Sequence, residues 1–364
     1  MSDDTGTRPA TPWPLRIALV VGTRPGARCG VADYTARLGE AMAQAGADVR
    51  IVDGDAWSPV AVAGHLSGPL APNAADLVHL QYPSIGFGAS LMPHALGLLA
   101  RGRCLVTLHE YHLTRRLRRA TMGAFTAGFR HLVFTNEAER AAYARAFPAS
   151  RGRSSVIPLG SNLPVVREPP AERPLIAFFG QIKPRRGLEP FIEAAALAAA
   201  AGRGYRFAVI GAPLAGMEGY LAELRRHAQG LSLDWHLDLD AAAAAPILAR
   251  SWCAYLPFPD GASGRRGTLV AALSNGVPVV TTRGPATPPG LEAAVRIAAT
   301  PAEALAAIDG LFADPAARSA LAAAGRRFAE PFLWPRIADR HLGLYRALLD
   351  ATPAGALRAV QTVR

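Results

Sequence analysis

Two short basic loops hold the residues best suited to chemistry. In Gly180-Gln-Ile-Lys183-Pro-Arg185-Arg186-Gly187, cationic side chains stand between an apolar run and a helix-like stretch. Free backbone N–H groups at a helix start attract anions, and charged side chains add strong hydrogen bonds, so this pattern suits a diphosphate. Lys183 is the only lysine in the chain, and a compact ammonium fits a phosphate oxygen reached in a tight loop. The second loop, Pro257 to Thr268, carries Asp260, Ser263, Gly264, Arg265, Arg266, Gly267 and Thr268. Gly267 and Thr268 would offer backbone donors, Arg265 and Arg266 positive charge, and Asp260 an acceptor for sugar hydroxyls. Two such loops point to a dianionic ligand such as a nucleoside diphosphate. The plainer alternative is a solvent loop enriched in arginine by compositional drift.

Three further segments invite a chemical reading. Thr107-Leu-His109-Glu110-Tyr-His112 follows a strand-like run. A histidine beside a carboxylate there can orient a hydroxyl or stabilise charge, or simply be a hydrogen-bonded loop histidine. It lacks the second histidine of His-Glu-x-x-His, so it is not a zinc motif. The loop Gly22 to Gly30, leading into Asp33 and Tyr34, offers glycines for close backbone approach. It matches neither a Gly-x-Gly-x-x-Gly fingerprint nor a Walker loop and also reads as an ordinary turn. The cluster Arg115-Arg116-Leu-Arg118-Arg119, followed by Met122, Phe125 and Phe129, fits an anionic membrane surface or a solvated helix face. No nucleic-acid-binding signature accompanies it, so nucleic acid is not expected as a partner.

These segments need a scaffold, and the apolar runs supply one. Arg16–Gly22, Asp48–Val52, Asp76–Leu80, Arg103–Leu108 and His131–Thr135 read as buried parallel strands separated by helices. Four prolines within Pro164–Pro174 predict a stiff linker. The pattern then restarts at Leu175–Gly180, Tyr205–Gly211, Ser232–Leu237, Ala254–Phe258 and Val277–Thr281, and helices dominate from Ala302 to Leu349. The expectation is α/β throughout, with two doubly wound domains and ligands at the C-terminal strand ends, in the cleft between the domains. The expected spans are a disordered tail 1–14, a first domain 15–163, a linker 164–174 and a second domain 175–340. A C-terminal helix, 341–364, is a candidate to pack back on the first domain.

Composition narrows the classes. Half of the 364 residues are hydrophobic, which excludes disorder as the main state. The net charge of +11 comes almost entirely from arginine, and together with long alanine runs this indicates compositional bias. Part of the charge therefore carries no function. Three scattered cysteines exclude a disulfide framework or a zinc site and fit a reducing cytoplasm. No long apolar run predicts a transmembrane helix, and the polar start does not read as a signal peptide.

Several segments together resemble the family-4 glycosyltransferases of GT-B fold. Cys29-Gly30-Val-Ala-Asp33-Tyr34-Thr35 is similar to a variant of the family's first glycine loop, and Val156-Ile-Pro-Leu-Gly160 to the segment before its linker. Phe178-Phe-Gly180 with Lys183 and Arg186-Gly187 resembles the donor-diphosphate loop, and Gly276-Val-Pro-Val-Val-Thr281 a strand near the donor site. The matches span about residues 16 to 348. The resemblance implies GT-B architecture, with two Rossmann-like domains facing each other across a cleft. It implies sugar transfer from a nucleotide-diphosphate sugar to a glycan or lipid-linked acceptor with retention, in cell-envelope or exopolysaccharide synthesis.

The donor would lie in the second domain and the acceptor in the first. No metal cofactor would be needed, because Lys183 and Arg186 stabilise the leaving diphosphate. His109 would be the cleft histidine, Gly30 the close-approach glycine, and Asp33, Tyr34 and Glu110 would face the acceptor. Localisation would be cytoplasmic, with Arg115, Arg116, Arg118 and Arg119 as a candidate contact to the inner membrane face. One departure stands out. The family's two donor-binding glutamates fall at Ser263 and Ala271, with Asp260 a candidate substitute for the first, and Gln181 replaces a usual basic residue. A catalytically impaired nucleotide-sugar-binding protein of the same fold is therefore the alternative. A GT-B sugar-nucleotide epimerase would need cleft carboxylates that are not evident.

Overall fold

The computed structural model describes residues 14–24, 29–54, 57–100, 102–111, 114 and 116–351. The N-terminal tail up to residue 13, the middle of the first glycine loop, His112, Arg115 and the stretch from 352 onward lie outside the described residues, as do the side chains of Arg116 and Leu117. The chain divides into two compact units, one made of residues 1–158 and 334–364, the other of Leu159–Leu333.

The first unit runs β1 (Arg16–Val20), α1 (Gly30–Gln44), β2 (Asp48–Val52), α2 (Pro59–Ser67), β3 (Leu77–Tyr82), α3 (Met92–Leu99), β4 (Cys104–Leu108), α4 (Arg116–Thr121), α5 (Gly123–Gly128), β5 (His131–Phe134), α6 (Glu137–Ala146) and β6 (Ser154–Val156). All six strands are parallel, in the order β2-β1-β3-β4-β5-β6. The central strands β3 and β4 are buried at every position, which explains why they are mostly apolar, with His79, Gln81 and Thr107 as buried polar exceptions. The edge strand β2 alternates instead. The direction of winding reverses between β1 and β3, so the crevice at their C-terminal ends is this sheet's switch point.

The second unit repeats the plan with β7 (Leu175–Phe179), α7 (Leu188–Ala200), β8 (Arg206–Gly211), α8 (Glu218–His227), β9 (Leu233–Leu237), α9 (Ala241–Ala249), β10 (Cys253–Leu256), α10 (Gly267–Ser274), β11 (Val279–Thr281), β12 (Arg296–Ile297), α11 (Pro301–Ala313) and α12 (Pro315–Ala329). Its parallel sheet has the order β12-β11-β10-β7-β8-β9, with the switch point between β7 and β10. The last two helices start on strong signals: Thr300 and Asp314 cap them with side-chain oxygens, and Pro301 and Pro315 occupy the first turn.

Two expected boundaries differ from the structure. The proline-rich stretch is part of the second unit. Val166 N–H donates to the Asn275 side chain at 2.9 Å, Ala171 N–H to the Arg250 carbonyl, and the Trp252 indole N–H back to the Ala171 carbonyl. Proline keeps it extended without making it a free spacer. The last helix, α13 (Trp334–Asp350), begins before the expected residue 341 and belongs to the first unit. It packs along α1, and Arg340 reaches the Val156 carbonyl. The cause is its amphipathic pattern, with Ile337, Ala338, His341, Leu342 and Tyr345 all buried.

Candidate functional site

In the second unit, the loops after β7 and β10 meet at the switch point and enclose a pocket of about 360 Å³. Lys183, Pro184, Arg185, Arg186, Pro259, Asp260 and Arg266 line it. Lys183, Arg185 and Arg186 form no ion pair or side-chain hydrogen bond among the described residues. Arg266 is engaged: it pairs with Asp260 and lies over the Phe258 ring, 4.7 Å from its centroid. Burial lowers the Arg266 pKa, Asp260 opposes this, and nearby Arg186 and Arg265 add to the lowering. An arginine stays charged regardless, so four cations face one carboxylate.

Two helix starts flank the pocket. α7 opens at Leu188 after Gly187, and α10 opens at Gly267 after Arg266, and neither has a side-chain cap. Their first N–H groups are unsatisfied donors for an anion. Gly187 makes this geometry attainable. It has φ +92, and a Cβ there would collide with the Pro257 carbonyl oxygen, which ties the two loops together. Arg185 also has positive φ, 63°, a costly conformation for a side-chain-bearing residue. Its sequence signal was only its place in the loop, and Pro259 gave none.

The other expected donor residues sit around the pocket. Gly180 closes β7 and Thr268 approaches it. Ser263 and Gly264 are half-buried, while Arg265 and Gly267 are exposed. The Asp260 carboxylate, the expected sugar-hydroxyl acceptor, is largely exposed and shares Oδ1 with Arg266. Ala271 is fully buried in α10, so that position packs the core.

The first unit holds the remaining expected residues. His109 directly follows β4 and is 6% exposed. Its Nε2–H donates to Gln81 Oε1 at 3.0 Å; an amide oxygen only accepts, so Nδ1 is the ring's acceptor. Burial pushes its pKa down to about 3, leaving a neutral imidazole. Tyr34, expected on the acceptor side, is instead a buried packing residue. Its ring meets His109 edge-on at 4.9 Å and its hydroxyl meets His341 Nε2 on α13 at 3.3 Å. Asp33 is half-buried, and Glu110 and Gly30 are exposed. A Cβ at Gly30 would meet nothing within 4 Å, so packing does not demand glycine there. Arg118 and Arg119 fold back over the Tyr82 and Tyr111 rings.

Among the described residues, no group of three or more His, Cys, Asp or Glu could hold a metal ion, and no helix is long and apolar enough to cross a membrane. Two parallel doubly wound units define the fold of the GT-B glycosyltransferases. Residues 173–314, which include every pocket residue, match the family model described as glycosyl transferases group 1. A glycosyltransferase from Rickettsia africae shares this fold at 12% identity and a TM-score of 0.72, over 93% of this chain and 100% of that one. Anabaena HepE, solved with UDP and glucose, does so at 14% identity and 0.63, over 91% and 100%. The sucrose-phosphate synthase of Thermosynechococcus elongatus does so at 18% and 0.62, over 93% and 100%. Among curated proteins none matches the sequence.

Proposed function

We propose that this protein transfers a sugar from a nucleotide-diphosphate sugar to a glycan or lipid-linked acceptor, with retention, in cell-envelope or exopolysaccharide synthesis. The observation that carries the reading is the cationic pocket at the second unit's switch point, where Lys183 and Arg186 form no ion pair among the described residues. Cleaving the anomeric C–O bond leaves negative charge on the departing diphosphate. Fixed cations and helix N–H groups aimed at that charge stabilise the transition state more than the ground state. Lys183 and Arg186 supply that stabilisation in this reading, Arg185 and Arg266 add to the field, and no metal is required. The UDP and glucose found with the similarly folded HepE make UDP-sugars the first donors to test. His109, kept neutral by burial, would offer a hydrogen bond near the reacting sugar and not a charge.

A thermal-shift panel of UDP-, GDP- and ADP-sugars, followed by donor-hydrolysis assays, tests this. Stabilisation by one donor class together with turnover supports it. No binding and no turnover with any of them defeats it. One observation favours a second reading, binding without catalysis: the family's donor carboxylates are replaced by Ser263 and the core residue Ala271. Stabilisation without any turnover would select it.

A further inference from the structure

The end of β3 holds a second set of hydrogen-bond donors that the pocket of the other unit does not use. Tyr82, the last residue of β3, is fully buried. Arg118 of α4 donates from Nε to its hydroxyl oxygen at 2.6 Å and lies over its ring, 5.3 Å from the centroid. The hydroxyl oxygen is thereby an acceptor, and its own proton has no acceptor among the described residues. The Arg118 Nη2 group is likewise buried without a partner. Two donors thus stand side by side without an acceptor, one of them cationic, with no carboxylate paired to Arg118 among the described residues.

Donors left this way are costly in a protein interior, and they bond strongly to an oxyanion. A second guanidinium stands nearby: Arg119 lies over Tyr111, 5.1 Å from the centroid, with Nη2 on the Thr114 carbonyl at 3.2 Å. Glu139 influences Tyr111 and tempers the Arg119 side. His94, edge-on to Tyr82, has its pKa pushed down to about 4 by burial and by Arg118, so it adds no charge. β3 also borders the first sheet's switch point, where open parallel sheets bind ligands.

We propose that Tyr82 and Arg118, with Arg119 beside them, form an oxyanion site that takes a phosphoryl group, and that this group belongs to the sugar acceptor. Two adjacent guanidinium groups suit a group with more than one anionic oxygen. The acceptor assignment rests on the transferase reading above; the oxyanion site does not.

The test uses the full-length chain carrying Lys183→Ala and Arg186→Ala, which removes two of the four cations of the other unit's pocket. Inorganic phosphate is titrated by calorimetry against this protein and against versions also carrying Arg118→Leu or Tyr82→Phe. Saturable binding that weakens about tenfold in either added variant is expected. Tyr82→Phe removes a single hydroxyl, and so keeps the test valid if Arg118→Leu fails to fold. A parallel sedimentation arm uses phosphatidylcholine vesicles with and without phosphatidic acid. Dependence on Arg118 and Tyr82 in the vesicle arm places the phosphoryl group on a lipid; dependence with free phosphate alone places it on a soluble acceptor. Binding that is absent in both arms, or that is unchanged by both added variants, overturns the proposal. Failure of the donor panel with this site intact would instead defeat the transferase reading alone.

Discussion

The side chain of His79, in the middle of β3, bridges two elements: Nε2 meets Thr107 Oγ1 at 2.8 Å, and Nδ1 meets the Tyr345 hydroxyl on α13. With the Tyr34–His341 contact, it fastens the last helix to the first sheet and to α1 through uncharged imidazoles. Burial holds His109 and His341 at about 3 and His79 well below its ordinary 6.5.

Acid stability follows from these groups. On acidification the unfolded chain takes up their protons first, because its histidines titrate near 6.5. Their contribution is complete above about pH 6.5 and is lost as pH falls toward about 3, by at most ~1.4 kcal/mol per pH unit for each histidine. Urea midpoints measured at pH 7, 6 and 5 should fall steadily, and His341→Gln should flatten the decline. Equal midpoints at pH 7 and 5 would show that these rings are not held neutral.

Replacing Lys183 and Arg186 together by alanine should weaken nucleoside-diphosphate binding about 100-fold or more, two charge-assisted contacts being lost. The far-UV circular dichroism should stay unchanged, since neither side chain has a partner among the described residues. Calorimetric affinities within threefold of the parent would remove the diphosphate from this pocket.

Asp260 provides a directional test. Its carboxylate neutralises Arg266, so Asp260→Asn should strengthen pyrophosphate binding a few-fold at low salt, and the gain should fade near 1 M salt. A contact from Asp260 to the donor sugar would show up differently: the same variant would leave pyrophosphate unaffected and weaken the nucleotide sugar.

Gly187→Ala meets both a left-handed backbone and the Pro257 carbonyl. It should destabilise the second unit by roughly 3 kcal/mol and misplace the start of α7. Hydrogen exchange read by mass spectrometry should show faster exchange in α7 and around β10, with α1 and β3 unaffected. Uniform protection across both units would argue against the strain.

Much of this was readable from residue order. Buried parallel strands announce themselves as apolar runs, as in Ile17–Val21 and Leu175–Phe179, and the cationic character of the loop around Lys183 is plain from composition. What escaped depends on side chains meeting across long stretches of chain. Nothing local to Tyr34 shows that His341 will cover it, so an apparent acceptor-side residue turned out to be packing. That Asp260 shares its carboxylate with Arg266 was equally hidden, because Arg266 looked like a ligand-binding residue of its own. The proline-rich stretch read as a spacer because the hydrogen bonds from Asn275 and Trp252 that hold it are invisible in one dimension.

The return of α13 to the first unit has a bearing on synthesis. The second unit is an insertion within the first, so every residue of it, up to Leu333, emerges from the ribosome before Trp334. Folding units usually mature in order from the N-terminus. Here the later-made unit can finish first, while Tyr34 and His79 wait for partners still to be translated. During that interval the nascent first unit exposes the α1 surface that α13 will cover, which makes it the stage of this protein's life most dependent on protection from aggregation.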